Sequence, residues 1–331
     1  MPARLLPVAG GGGMKSEWQR PEGGGRFAVW LIRGIALYGG RGLARLFLYP
    51  ITLYFYLRRG HERACMRAYL ARIQSRPGSA WQVMRLIHSF AATLLDRVFL
   101  LSQGVDRFEV ECEGLDELDA RLAEGRGVLL MGCHFGSFEI LRAVSMQRKE
   151  PVLLRVVLDK QQTPALTRFL EELAPDIAQS VIDISHGGGA AVLAMAETAQ
   201  QGGVIGLLAD RARGGERCVQ VPFLGDPAPF PATPWQLAAA LRVPVLLCFG
   251  VYQGGRRYRV VFEPFSEGLQ LERHRRDAHL REVVARYAAR LEHYVRVWPY
   301  NWFNFHDFWQ TGVSEEPAGD TLETPAGTGK S

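Results

Sequence analysis

From Arg107 onward, short apolar runs alternate with amphipathic stretches of about ten residues, and this alternation limits the fold more than any other feature of the chain. Strands are expected at Phe108–Cys112, Val128–Met131, Val152–Val157, Val181–Ile184, Val204–Ala209, Val243–Tyr252 and Tyr258–Phe262. Helices are expected between them at Leu115–Glu124, at Thr163–Leu173 with Pro164 in the first turn, at Ala190–Gln201 before Gly202 and Gly203, and at Ala232–Arg242. A long helix, Arg273–Val297, follows. Strands alternating with helices bury both faces of a sheet, so the fold class is α/β.

The N-terminal third is different. Residues 1–107 carry 16 Lys/Arg against 5 Asp/Glu, a balance of +11 within a chain whose net charge is +5. The stretch 26–59 is apolar and aromatic, but Arg33, Arg41 and Arg45 interrupt it, and its longest charge-free piece, Leu46 to Leu57, has 12 residues. A spanning helix needs about 20 apolar residues. An apolar face, an arginine edge and flanking Trp30, Tyr38, Tyr49, Tyr54 and Tyr56 instead describe a helix lying in an anionic membrane interface. The alternative is an amphipathic helix covering the core with surface arginines. Pro50 is expected to kink or end this helix. Residues 61–103 read as helical with a break at Arg76 to Ser79. The organisation expected is therefore a flexible arm (1–25), a helical membrane-associating region (26–106), an α/β domain (107–311) and a disordered tail (312–331) rich in Gly, Ser, Thr, Pro, Ala and Glu. The basic excess is assigned to an anionic membrane surface and not to nucleic acid.

Five cysteines at 65, 112, 133, 218 and 248 have neither paired nor metal-type spacing, and residues 1–13 lack the apolar core of a secretory signal. Unpaired thiols in a reducing compartment are expected.

The chemistry is expected at the corner Gly127 to Glu139 (GVLLMGCHFGSFE). Val128 to Met131 form the strand, Gly132 and Gly136 turn the chain, and Phe138 to Val144 begin a helix with Ile140, Leu141 and Val144 on one side. His134 on the turn and Glu139 in the first helical turn could meet. A carboxylate holding one imidazole N–H leaves the other nitrogen free to accept a proton. The competing reading is a helix-capping histidine with Glu139 complementing the helix dipole. Cys133, adjacent to His134 on an extended chain, should point into the core and pack there. Arg211 to Arg217 (RARGGER) lacks the residue order of a phosphate loop, and Ser185 to Gly189 (SHGGG) has no nucleophile elbow to accompany it.

Gly132 to Glu139 (GCHFGSFE) resembles the H-x4-[D/E] block of glycerolipid acyltransferases, and among these the bacterial lipid A late acyltransferases. Asp210 followed by Arg217 to Gly225 (RCVQVPFLG) is similar to that branch's D…(K/R)-x-V-x-V-P-F-F-G block. Thr233 and its helix precede Arg242 to Val245 (RVPV), similar to a proline-bearing strand of the family. Arg155 sits where the branch has a Y-R element, with Leu154 in place of the Tyr. The resemblance covers about residues 25–310.

It implies a central mixed sheet flanked by helices, and an acyltransferase acting on groups other than aminoacyl groups at the cytoplasmic face of the inner membrane. His134 would be the general base and Glu139 its orienter. Arg155 and Arg217 would bind anionic groups of acceptor or donor, and Asp210 would hold one of those arginines. No metal or cofactor is implied. The co-substrate is an acyl-carrier-protein or coenzyme A thioester, the acceptor a hydroxyl or amine of a membrane lipid, and an acyl carrier protein a partner. The other readings are a non-catalytic membrane-attached binding module and a thioester hydrolase using the same dyad.

One stretch departs from the lipid A branch. Where that branch has P-x-Q-[WY]-x-W-x-H-R-R, this chain has Pro299 to Trp309 (PYNWFNFHDFW), with Asp307 and Phe308 in place of the arginine pair. Six of the ten residues Tyr300 to Trp309 are aromatic. That ending resembles a sister group of acyltransferases associated with aryl polyene or related pigment-lipid pathways. Most of these aromatics are expected in the core, with Trp302 or Trp309 at a membrane interface.

Overall fold

The structure is a computed structural model describing residues 26–141, 152–161, 180–185, 188–212 and 215–309, without the side chains of 26–39. The arm, the tail, the helix expected at Thr163–Leu173 and His186 lie outside the described residues.

Among the described residues, three helices come first: α1 (Arg26–Arg58), α2 (Gly60–Gln74) and α3 (Ala80–Gln103). The break between α2 and α3 falls at the expected Arg-Pro-Gly-Ser, and Ser79 closes it with a capping box, accepting from Gln82 N while the Gln82 side chain accepts from Ser79 N. Pro50 neither ends nor breaks α1. The helix runs through it, and the break comes at Gly40, whose φ of 72° is open to glycine at little cost. Among the described residues no helix is long and apolar enough to cross a membrane.

Among the described residues, seven strands then build one mixed sheet: β1 (Glu109–Glu113), β2 (Val128–Gly132), β3 (Leu154–Leu158), β4 (Val181–Asp183), β5 (Val204–Leu208), β8 (Val245–Gly254) and β9 (Arg257–Ser266). Their order is β1-β9-β8-β2-β5-β3-β4. The run β8-β2-β5-β3-β4 is parallel, β9 folds back antiparallel on β8, and β1 lies parallel to β9. Helices α4 (Leu115–Ala123), α5 (Gly188–Gln200), α6 (Thr233–Leu241) and α7 (Arg276–Val297) are described beside the sheet. All five residues of β2 are buried, as a strand covered on both faces requires. Its side chains alternate between two hydrophobic clusters, Leu129 and Met131 in one and Val128 and Leu130 in the other.

The sequence did not show the hairpin of β6 (Cys218–Phe223) and β7 (Asp226–Pro231). Four prolines in these twelve strand residues hide it, because proline cannot donate to a ladder. A two-stranded hairpin tolerates them, and Val219, Val221 and Phe223 alternate inward to pack beneath α7.

Arg41 and Arg45 do not form the expected outward edge, and the Arg33 side chain lies outside the described residues. Arg41 Nε lies 2.7 Å from Asp96 Oδ1 and its Nη2 2.8 Å from Oδ2, while Arg45 donates to the Tyr252 hydroxyl and the Gly255 carbonyl. Asp96, in α3, is fully buried and also accepts from the Tyr258 hydroxyl at 2.9 Å. A buried carboxylate needs such partners, and α1 supplies them. The opposite side of α1 is apolar and open: Leu43, Leu46, Phe47, Leu53, Tyr54 and Leu57 recur at three- and four-residue spacing and all are exposed. Over its described side chains the helix is amphipathic, with Arg41 and Arg45 turned inward.

Candidate active site

Strands β2 and β5 are parallel neighbours, with Gly132 paired to Leu208. His134 and Asp210 each lie two residues beyond that pair, so both emerge from the carboxyl end of the sheet side by side. This is where open parallel sheets leave a crevice for ligands.

Four backbone hydrogen bonds hold the turn at His134. Phe135 N donates to Cys133 O, Gly136 N to Asn301 O, Ser137 N to Gly250 O, and Phe303 N to His134 O. Gly136 has a φ of 61°, and a Cβ there would stand 1.9 Å from the Gly250 carbonyl oxygen. Only glycine fits. Asn301, which receives the turn, is itself fixed to Tyr252 by two bonds, its Oδ1 accepting from Tyr252 N and its Nδ2 donating to Tyr252 O.

His134 Nδ1 lies 2.8 Å from Asp210 Oδ1, and both carboxylate oxygens also accept from His134 N at 3.1 Å. Asp210 is wholly buried, whereas the His134 side chain keeps 33% of its surface. Burial alone would favour the neutral acid, but His134, Arg211 and the Trp302 indole together hold the Asp210 carboxyl well below the usual range. An ionised carboxylate only accepts, so the proton on this imidazole sits on Nδ1, and Nε2 is left as the basic nitrogen. Burial, and then the Arg211 cation, press the His134 pKa below its ordinary value against the opposing pull of Asp210. The ring is therefore neutral at neutral pH and able to take a proton.

The expected partnership of His134 with Glu139 is replaced. The carboxylate on His134 Nδ1 is Asp210, and Glu139 instead forms an ion pair with Arg97 of α3, Glu139 Oε1 to Arg97 Nε at 2.6 Å. Glu139, in the helical turn that begins at Phe138, is drawn to Arg97, whereas Asp210 emerges beside His134 from the next strand. Asp210 holds neither arginine assigned to it. Arg217 is 58% exposed and paired with Asp277 at 3.0 Å. Arg155 pairs in register with Ile205, five positions before Asp210 on β5, or about 16 Å along a strand. The structure does not bring it to the pair. Cys133 is buried as expected, and burial pushes its thiol well up.

Trp302 is not at an interface. It is fully buried between Tyr69, Phe223 and Phe308, with its indole N–H donating to Asp210 Oδ2 at 3.1 Å. Trp309 is partly buried and stacked on Phe223. Arg211 donates to the Phe303 carbonyl, and Tyr287 of α7 donates to Gly132 O at 3.1 Å. The sequence signal for these contacts was the aromatic density of Tyr300–Trp309, which says nothing about which ring meets which carboxylate.

Residues 98–311 match the profile of the bacterial lipid A biosynthesis acyltransferase family. The chain belongs to that family. The match spans the last part of α3, the whole sheet and the aromatic C-terminal segment, and so contains His134, Asp210 and Trp302 together. No curated protein matched the chain in sequence comparison. As a member of the lipid A acyltransferase family, the protein is an acyltransferase whose reaction places an acyl group on a lipid.

Proposed function

We propose that the protein transfers an acyl chain from an acyl thioester, carried by an acyl carrier protein or coenzyme A, to a hydroxyl of a membrane lipid. The observation that carries this reading is a partly exposed histidine whose Nδ1 is bound to a buried, ionised carboxylate at the carboxyl end of a parallel sheet. His134 Nε2 removes the acceptor's proton as its oxygen attacks the thioester carbonyl. The tetrahedral intermediate then collapses, the C–S bond breaks, and the departing thiolate takes the proton back from the imidazolium. An ester and a free thiol result. Asp210 keeps the imidazole in the right tautomer and stabilises its charged form, the part first expected of Glu139.

The exposed apolar stripe of α1 supports peripheral attachment to the membrane, on the cytoplasmic side where thioester donors are made. Six large apolar side chains on one helical face are costly to leave in water, whereas bilayer hydrocarbon would cover them.

The test is thiol release from an acyl-thioester donor by the purified protein, with and without lipid acceptors. Acceptor-dependent release, lost in His134→Ala, is the expected result. Release without any acceptor would indicate a hydrolase, and donor binding with no release under any acceptor would indicate a binding module.

A further inference from the structure

Asp210 is held from two directions. One oxygen faces the imidazole Nδ1 of His134, and the other accepts the indole N–H of Trp302. The two donors come from segments 168 residues apart, His134 after β2 and Trp302 after α7, yet their backbones are joined. Phe135 and Trp302 form an antiparallel bridge, flanked by the bonds from Phe303 N to His134 O and from Gly136 N to Asn301 O. A shift of the C-terminal segment would therefore move the His134 turn and the Asp210 contact together.

We propose that Trp302 is a positioning residue for the His134–Asp210 pair, its indole N–H holding Oδ2 so that Oδ1 stays on Nδ1. This inference rests on the acyl-transfer reading for its kinetic consequence only. Without the indole, Oδ2 would keep only its share of the His134 backbone N–H, and the carboxylate would be freer to rotate away from Nδ1. The bond also withdraws charge from the carboxylate that would otherwise stabilise the imidazolium. Losing it should make His134 more basic. The other charged or titratable groups around the pair stay in place: Arg211 beside Asp210, Arg97 from α3 with its partner Glu139, His306 from the C-terminal segment, and Cys133 and Tyr287 on the Asp210 side.

Two variants isolate the N–H from the packing of the ring. Trp302→Phe removes it with part of the ring. Replacement of Trp302 by 3-benzothienylalanine keeps the shape and substitutes sulfur for N–H. The expected result in both is a lower kcat, on the order of tenfold or more, with the donor KM little changed. The acidic limb of the pH profile should move to higher pH by about half a unit or more. A parallel titration of the His134 imidazole by 15N NMR should show the same rise without reference to turnover. An unmoved His134 titration and an unmoved limb in the folded benzothienyl variant would overturn the proposal. If the wild-type protein released no thiol, the acyl-transfer reading would fail while the NMR titration still decided the role of Trp302. If Trp302→Phe does not fold, the shape-preserving variant carries the test.

Discussion

Glu139 Oε1 lies 2.6 Å from Arg97 Nε, and this ion pair ties the first turn after the His134 corner to α3. It occupies the carboxylate that sequence spacing would give to His134, and Asp210, from the neighbouring strand, takes that place. The two carboxylates should separate in experiment. Asp210→Asn should lower kcat by about 10²–10⁴, because an amide cannot hold the same imidazole tautomer or stabilise its cation. Glu139→Gln should cost far less. Equal losses in both, measured as thiol release, would contradict this division.

The Asp96 site is structural. Its carboxylate is buried and bound by Arg41 and Tyr258, with Arg45 at 3.9 Å. Replacing it with alanine leaves Arg41 and Arg45 without their carboxylate, and breaking a buried pair costs about 3–5 kcal/mol. Urea denaturation of Asp96→Ala should show a loss of that order.

Gly136→Ala should remove activity and lower stability together. The added Cβ would meet the Gly250 carbonyl at 1.9 Å in a positive-φ conformation, so the turn must move. A loss on the order of 2 kcal/mol or more is expected. Near-normal thiol release from a folded Gly136→Ala would show that the turn can be rebuilt.

Acid should destabilise the fold through its histidines. Burial, with Arg211, lowers the His134 pKa, and burial, with Arg211, lowers that of His306 to about 3. Below pH 6.5 the unfolded chain takes up protons that the folded chain refuses, so stability is full above that pH and falls as pH drops toward the folded values. His306 alone should cost on the order of 1–2 kcal/mol at pH 5. His306→Gln should flatten the dependence of the urea midpoint on pH between 7.5 and 5. An unchanged slope would place the proton uptake elsewhere.

Attachment through α1 makes a further separable prediction. Leu46→Glu with Leu53→Glu alters two residues exposed by 62% and 50%, so thermal stability should hardly change while sedimentation with anionic vesicles falls several-fold. Unaltered vesicle binding would remove α1 from the membrane contact.

Much of this architecture was legible in the chain. The apolar run Val128 to Met131, the helix limits around Leu115 and Thr233, and the break at Arg76 to Ser79 are local, set by periodicity and by a few residues near each element end. His134 was legible for the same reason, as a histidine on a glycine-bounded corner. What remained hidden was pairing over distance. Periodicity gave α1 one apolar and one charged side, but which side faced the protein was decided by Asp96, some 50 residues further on, whose buried charge drew Arg41 inward and left the leucines outside. In the same way, composition marked His134, Glu139 and Asp210 as ionisable, and only the parallel pairing of β2 with β5 set Asp210 on the imidazole. Sequence alone determined the α/β class, most element limits and the glycine-bounded corner on which His134 sits. Tertiary structure decided its carboxylate and the place of Trp302, because strand order and segment docking are cooperative results of burying the whole core.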